Sequence, residues 1–212
     1  MEIKFLGHSS FMIKGNKQVI VTDPYDDKVG KFPSVKADIV TCSHDHHDHH
    51  AVDKVDGNPK VIDFPGEYEI GGTFIEGIPT FHDGSQGSER GENIVFSFYM
   101  EDIHVVHLGD LGHKLNDEQL DKIGDVDILM IPVGGVYTID AAQAQDVIEE
   151  IEPRIVIPMH YQMEGIDISG GIAPVTGFLK AMGVGEPKTE ESLKISKATL
   201  PQEGMDIVVL KK

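Results

Sequence analysis

The run Ser43-His44-Asp45-His46-His47-Asp48-His49-His50 constrains this 212-residue chain more than any other feature. Five of the 11 histidines lie between His44 and His50, in the spacing H-x-H-x-D-H. Imidazole nitrogens and carboxylate oxygens are the ligands that borderline metals such as zinc prefer. The run follows Ala37 to Thr41, a short apolar stretch that reads as a strand. His44 and His46 stand two apart just beyond it, where extended backbone points both side chains the same way. Asp48 and His49 come as the chain turns, in reach of a second ion. A solvated loop that scavenges metal non-specifically has the same composition, so the rest of the chain has to decide. Three further stations do so. His82 sits in Phe81-His82-Asp83-Gly84, Asp110 in His107-Leu108-Gly109-Asp110 and His160 in Ile157-Pro158-Met159-His160. Each lies at the end of a strand-like run, where open sheets place their functional residues. Four such stations point to a built metal site rather than an adhesive loop.

The order of elements agrees with a layered fold. Ile3 to Leu6, Ser10 to Ile13 and Val19 to Thr22 read as strands, split by Gly15-Asn16 and ended by Asp23-Pro24. Lys60 to Phe64, Thr73 to Ile75, Asn93 to Met100 and Ile103 to Leu108 continue the pattern. The period then changes. Asn116 to Gln119 and Asp140 to Gln143 are capping boxes, each leading a helix. Gly124 stops the first helix. The second carries Ala144, Val147, Ile148 and Ile151 on one stripe and ends near Pro153. Val126 to Val133 and Ile155 to Ile157 are buried strands between and after them. A short helix over Phe178 to Met182 and a strand over Met205 to Leu210 close the chain. Strands with interspersed helices mean α/β layering, and no linker or repeat interrupts residues 1–212, so a single domain is expected.

Composition narrows the setting. With 18 Lys and Arg against 36 Asp and Glu the formal net charge is −18, which repels phosphate backbones and anionic membranes. Met1 to Ser10 lack the basic start and apolar run of a secretory signal. No apolar stretch is long enough to span a membrane. Cys42 is alone, so no intramolecular disulfide forms. The expected compartment is the cytoplasm.

On these motifs the chain resembles the metallo-β-lactamase superfamily, which shows an early Asp after a strand, then H-x-H-x-D-H, then a downstream His, Asp and His. Here Asp23, the His44 to His49 run, His82, Asp110 and His160 stand in that order, with gaps of 33, 28 and 50 residues after His49. Gly7-His8-Ser9-Ser10-Phe11, Pro65-Gly66-Glu67-Tyr68 and Pro132 to Thr138 resemble its branch of small zinc-dependent hydrolases, related to the ascorbate-6-phosphate lactonases. The resemblance implies an αβ/βα four-layer sandwich, two mixed sheets flanked by helices, with metals at one sheet edge. It implies a first ion on His44, His46 and His82, a second on Asp48, His49 and His160, and Asp110 between them. Asp48 and Asp110 are the implied catalytic carboxylates. Two Zn2+ per chain are expected, although Mn2+ or Fe2+ suit the same N/O set. A hydroxide between the ions is the implied nucleophile, since metal binding lowers a water's pKa from about 15.7 to about 7. Two divalent ions, two carboxylates and a hydroxide leave the site at about +1, so the pocket alone welcomes anions. The substrate class is then a small anionic ester, lactone or phosphoester.

Other residues keep two readings. Asp23 either orients a metal-binding histidine or simply forms a turn with Pro24. His8 lines the pocket or caps a strand turn. His47 and His50 read as exposed neighbours, His104 and His107 as packed or hydrogen-bonded. His113 is a candidate contact to substrate or product, and Cys42 a small buried residue. Asp83 to Asn93 is a mobile flap or an ordinary surface loop. Gly134 and Gly135 precede a helix, where backbone amides can bind an anion. The rival functions are a phosphodiesterase or nuclease, disfavoured by the acidity and by the lack of room for a nucleic-acid clamp, and a non-catalytic metal-binding module. A diiron oxygen-reductase relative would carry a carboxylate at His46 and a flavin domain. Homo-oligomerisation is left open.

Overall fold

Alternation along the N-terminal strands puts Phe11, Ile13, Ile20 and Ile39 into one apolar cluster and Met12, Val21 and Val40 into another. That period of two is what a strand buried on both faces requires. The computed structural model describes residues 1–212. The first strands are β1 (Glu2–Gly7), β2 (Ser10–Lys14), β3 (Val19–Thr22), β4 (Val35–Lys36), β5 (Ile39–Thr41), β6 (Val55–Asp56) and β7 (Lys60–Ile62). Next come β8 (Gly66–Ile70), β9 (Thr73–Phe81), β10 (Glu92–Met100), β11 (Ile103–His107) and helix α1 (Asp117–Ile123). The chain continues with β12 (Ile128–Pro132), α2 (Ala141–Ile151), β13 (Ile155–Met159) and α3 (Val175–Ala181). It ends with β14 (Lys188–Glu190), β15 (Leu193–Lys194) and β16 (Asp206–Leu210).

Two mixed sheets carry the structure, one ordered β15-β1-β2-β3-β5-β7 and the other β14-β16-β13-β12-β11-β10-β9-β8. A cluster of 45 buried residues joins Phe5, Phe11 and Ile13 of the first sheet to Phe96, Phe98 and Val105 of the second. It also takes in Ala144, Val147, Ile148 and Ile151, the apolar stripe of α2. All five residues of β12 are buried, which explains its unbroken apolar sequence. The outer face of the first sheet is closed by a smaller cluster in which Tyr25, Val29 and Phe32 cover Val21, Val40 and Cys42. The architecture is the expected αβ/βα sandwich; on this outer face a loop and a short 3-10 turn, Val52–Lys54, take the place of a long helix.

Both capping boxes form as read, with Asn116 and Gln119 reciprocating at α1 and Asp140 and Gln143 at α2. α3 begins three residues before the expected Phe178. β9 runs to Phe81 rather than ending at Ile75, despite Gly77 and Pro79. Pairing with β10 continues to Phe81, while β8 stops at Gly77, so Pro79 lies where no ladder bond is needed on that side. β8, β14 and β15 went unread because GEYEI, KTE and LK carry little apolar alternation; the first two sit at sheet edges and the third at the other sheet's end.

Strand direction positions the site. β1 and β3 both run antiparallel to β2, and β3 runs parallel to β5. In the other sheet β9 and β11 run antiparallel to β10, and β11, β12 and β13 run parallel. The C-terminal ends of β1, β3 and β5 therefore share one edge of their sheet, as those of β9, β11 and β13 share one edge of theirs.

One glycine measures how tightly the loops at that edge are packed. A Cβ on Gly112 would lie 2.3 Å from the His82 carbonyl carbon and the Asp83 nitrogen, and no side-chain rotation relieves a clash with backbone. Gly112→Ala is expected to cost about 1–3 kcal/mol, lowering Tm by about 2–4 °C per kcal/mol in a chain of this size. Thermal denaturation followed by circular dichroism checks this; an unchanged Tm would mean that these loops yield freely.

Candidate metal centre

Each chemistry-bearing residue follows a strand that ends at this edge. His8 follows β1, Asp23 follows β3, and His44 to His49 come after β5. His82 follows β9, Asp110 lies just beyond β11, and His160 follows β13. His8, Asp23 and His160 adopt positive φ of 57, 41 and 51°, a conformation that costs a non-glycine residue about 1–3 kcal/mol and concentrates at functional sites. The backbone is turned there to bring the side chains inward.

The residues converge in two groups. His44, His46 and His82 offer ligand atoms within 4.8 Å of one another. The rings of His44 stand 4.5 Å from His46 and 4.6 Å from His82. On the other side, His49 and His160 lie with His8, again within 4.8 Å. Asp110 stands between the groups: its Oδ2 is 3.1 Å from His160 Nε2, 3.3 Å from His49 Nε2 and 3.5 Å from His82 Nε2. Asp48 Oδ2 lies 3.7 Å from His49 Nε2. All seven expected ligands thus reach one place.

Asp23 decides which ring nitrogens face inward. Its Oδ1 accepts from the Ser43 amide at 2.8 Å, and its Oδ2 accepts from Ser43 Oγ at 2.6 Å and from His49 Nδ1 at 2.8 Å. With its single proton given to Asp23, Ser43 Oγ accepts from His44 Nδ1 at 2.9 Å. His44 and His49 are therefore both protonated on Nδ1, and their Nε2 atoms turn to the centre. The turn-only reading of Asp23 falls. Sequence reasoning missed Ser43, which precedes the motif and looks like a spacer. It also missed Asn93, whose Nδ2 donates to the Leu108 carbonyl and whose Oδ1 accepts from the Asp110 amide at 2.9 Å.

Charge is shared among these groups. Burial pushes His8 down to about 4, and His160 adds to the push. Burial, with His49, likewise holds His44 well below the ordinary histidine value. Burial would lower His49 as well, but Asp110 and Asp48 outweigh it and hold His49 well above that value. Burial would raise Asp110, but His160 and His49 overcome it and keep the carboxyl ionised. Buried His44 Nε2 and Asp110 Oδ1 have no hydrogen-bond partner. Leaving such atoms unpaired is costly, whereas a divalent ion among imidazoles and carboxylates satisfies them. The donor set fits a metal.

The remaining sequence readings separate. Both ring nitrogens of His113 are engaged within the chain: its Nε2 accepts from the Phe81 amide and its Nδ1 donates to the Lys114 carbonyl. His107 Nε2 donates to the Ser9 carbonyl at 2.8 Å, and His104 Nδ1 donates to the Asp125 carbonyl. His47 meets Asp26, and His50 meets Asp63. Cys42 is buried. The Asp83 carboxylate accepts from the amides of Ser85, Gly87, Glu89 and Arg90, so this loop is a braced turn rather than a flap. Of the amides near Gly134 and Gly135, that of Gly135 is already engaged. The Gly135 amide donates to Ile139, and Asp140 already caps the α2 amides.

Removing the charge from Asp23 should disturb both histidine groups through one side chain. Asp23→Asn is expected to weaken metal affinity by about 10–100-fold with the fold retained. Chelator competition beside a far-ultraviolet spectrum measures this. Undiminished affinity would leave the carboxylate with a structural role alone.

Residues 2–160 match the family model of the beta-lactamase superfamily domain. The chain is 31% identical over 188 residues to a UPF0173 protein of Pyrococcus abyssi, covering 78% of this chain and 85% of that one. It is 27% identical over 190 residues to a UPF0173 metal-dependent hydrolase of Thermococcus onnurineus, covering 76% and 84%. Among solved structures, a candidate Zn-dependent hydrolase of the metallo-β-lactamase superfamily from Thermotoga maritima superposes with a TM-score of 0.82 at 39% identity, over 99% of this chain and 97% of that one. The chain belongs to the metallo-β-lactamase superfamily, among its metal-dependent hydrolases.

Proposed function

We propose that the chain hydrolyses a small anionic ester, lactone or phosphoester at a centre of two metal ions, zinc being the ion best suited to the donors. His44, His46 and His82 would hold one ion, Asp48, His49 and His160 the other, and Asp110 would contact both. The observation that carries this reading is the position of Asp110, whose single Oδ2 lies within 3.5 Å of histidines from both groups. Bound there, a divalent pair supplies Lewis acidity and makes water nucleophilic at neutral pH.

The chain's own residues support the substrate class. A cleft of about 970 Å³ opens over His46, His82, Asp110 and His160, and Lys28 and Arg90 stand on its wall. The Arg90 guanidinium lies 5.6 Å from the centre of the Tyr137 ring, a stacking that steadies a long cation. Arg90 follows directly from the braced loop, since its amide is bound by Asp83. A guanidinium held this way is suited to a phosphate or carboxylate group. Outside the cleft the net charge of −18 opposes a long polyanion. No helix is long and apolar enough to cross a membrane.

Two measurements test the reading. Elemental analysis of the zinc- or manganese-saturated chain should give two ions, and Asp110→Ala should disturb both. Arg90→Ala should raise KM for an anionic ester by about 10–100-fold, the worth of a charged hydrogen bond of about 1.5–3 kcal/mol, with metal content unchanged. Metal-dependent cleavage of nucleic acid by a chain inert to small esters, lost in Asp110→Ala, would overturn the substrate class in favour of a nuclease.

A further inference from the structure

We propose that His8 is a further metal ligand, a nitrogen donor to the second ion beside His49, His160 and Asp48; this rests on the dinuclear reading above. His8 is fully buried at the end of β1. Its Nε2 lies 3.0 Å from His49 Nε2 and 3.4 Å from Asp48 Oδ2. Its ring centre is 4.5 Å from that of His160. Its Nδ1 has no hydrogen-bond partner, so every polar contact of the ring is to a residue of the centre. The main chain locks the pair together, since the His160 amide donates to the His8 carbonyl at 2.9 Å.

A hydrogen bond between the two imidazoles accounts for the 3.0 Å contact only in the metal-free chain. His49 Nδ1 donates to Asp23, and the two Nε2 atoms share one proton between them. An ion on His49 Nε2 displaces that proton, and the contact between the two Nε2 atoms is then left without a hydrogen bond, His8 Nε2 facing the ion and Asp48 Oδ2 at 3.4 Å. Shared coordination removes the conflict. Ligands about 2.0–2.1 Å from one zinc stand about 2.9–3.6 Å apart at the roughly 90–120° angles of a five-coordinate shell. The spacings of 3.0 and 3.4 Å from His8 to its two neighbours fall in that range. Nor does the turn itself call for this residue, since φ of 57° is met at lower cost by Gly or Asn. The two ions would then be unlike. The first keeps three histidines and an open side toward the cleft, whereas the second is closed in by three histidines and two carboxylates.

The test uses the full chain with zinc and reads coordination as well as turnover. X-ray absorption of the two-zinc protein should count about three imidazoles per ion, six histidines over two ions, against about two and a half if His8 stays outside. His8→Gln keeps size and hydrogen bonding, and it should lose affinity for one ion by more than about 100-fold, beyond the effect of an outer hydrogen bond, while the other ion is retained. The melting temperature of the metal-free variant should match that of the parent, which separates a ligand from a structural histidine. Two tight ions in His8→Gln, with about two and a half imidazoles per zinc in the parent, would overturn the assignment and leave the dinuclear reading standing. A parent chain that saturates at one ion would instead overturn the dinuclear reading, and the second-ion assignment with it.

Discussion

A carboxylate with no exposure to water needs donors, and Asp23 finds three: the Ser43 amide, the Ser43 hydroxyl and the His49 ring. An ionised carboxylate buried without them would cost several kcal/mol. Satisfying it pulls the end of β5 against the end of β3, and Pro24 then carries the chain away. The same bonds set the tautomers of His44 and His49, one from each histidine group. Fold and site are coupled here, because the group that closes the sheet edge also aims the ring nitrogens. The positive φ of Asp23 is the strain that this arrangement tolerates.

Across the interior, one polar side chain holds the second sheet in step with the first, and another braces the second sheet within itself. His107 reaches from β11 to the Ser9 carbonyl in the turn between β1 and β2. Asn93 binds Thr80, the Leu108 carbonyl and the Asp110 amide, tying β9 and the loop after β11 to β10. Both residues are fully buried among apolar strands. A buried polar group that is fully paired specifies register more sharply than apolar packing does. Asp110 owes its place between the histidine groups to this pairing, and its own carboxylate then organises the charge around it.

Electrostatics differ with distance from that centre. The surface carries the net −18, and its field is screened over about 8–10 Å at ordinary ionic strength. The cleft wall sets Lys28 and Arg90 beside Asp45, Glu89 and Asp167, so its charge is mixed rather than uniformly acidic. The net charge of a chain therefore does not describe the charge that a small molecule meets in its cleft.

Much of this was legible in the order of residues. Local chemistry needs no tertiary partner, so the capping boxes at Asn116 and Asp140, the strand Val19–Thr22 and the spacing from His44 to His49 could be read directly. The stations His82, Asp110 and His160 were visible because each ends an apolar run. Edge strands such as β8 and β14 were not, since main-chain pairing with a neighbour rather than apolar pattern makes them. The contacts of Ser43, Asn93, His113 and His8 were decided by folding alone. Each depends on where a ring, a carboxamide or a hydroxyl meets atoms far away in the chain: His8 meets His49 across 41 positions, and His113 meets Phe81 across 32. Sequence spacing specifies which side chains leave a strand on the same face. Only the parallel course of β1, β3 and β5, set against that of β9, β11 and β13, specifies which of those faces meet.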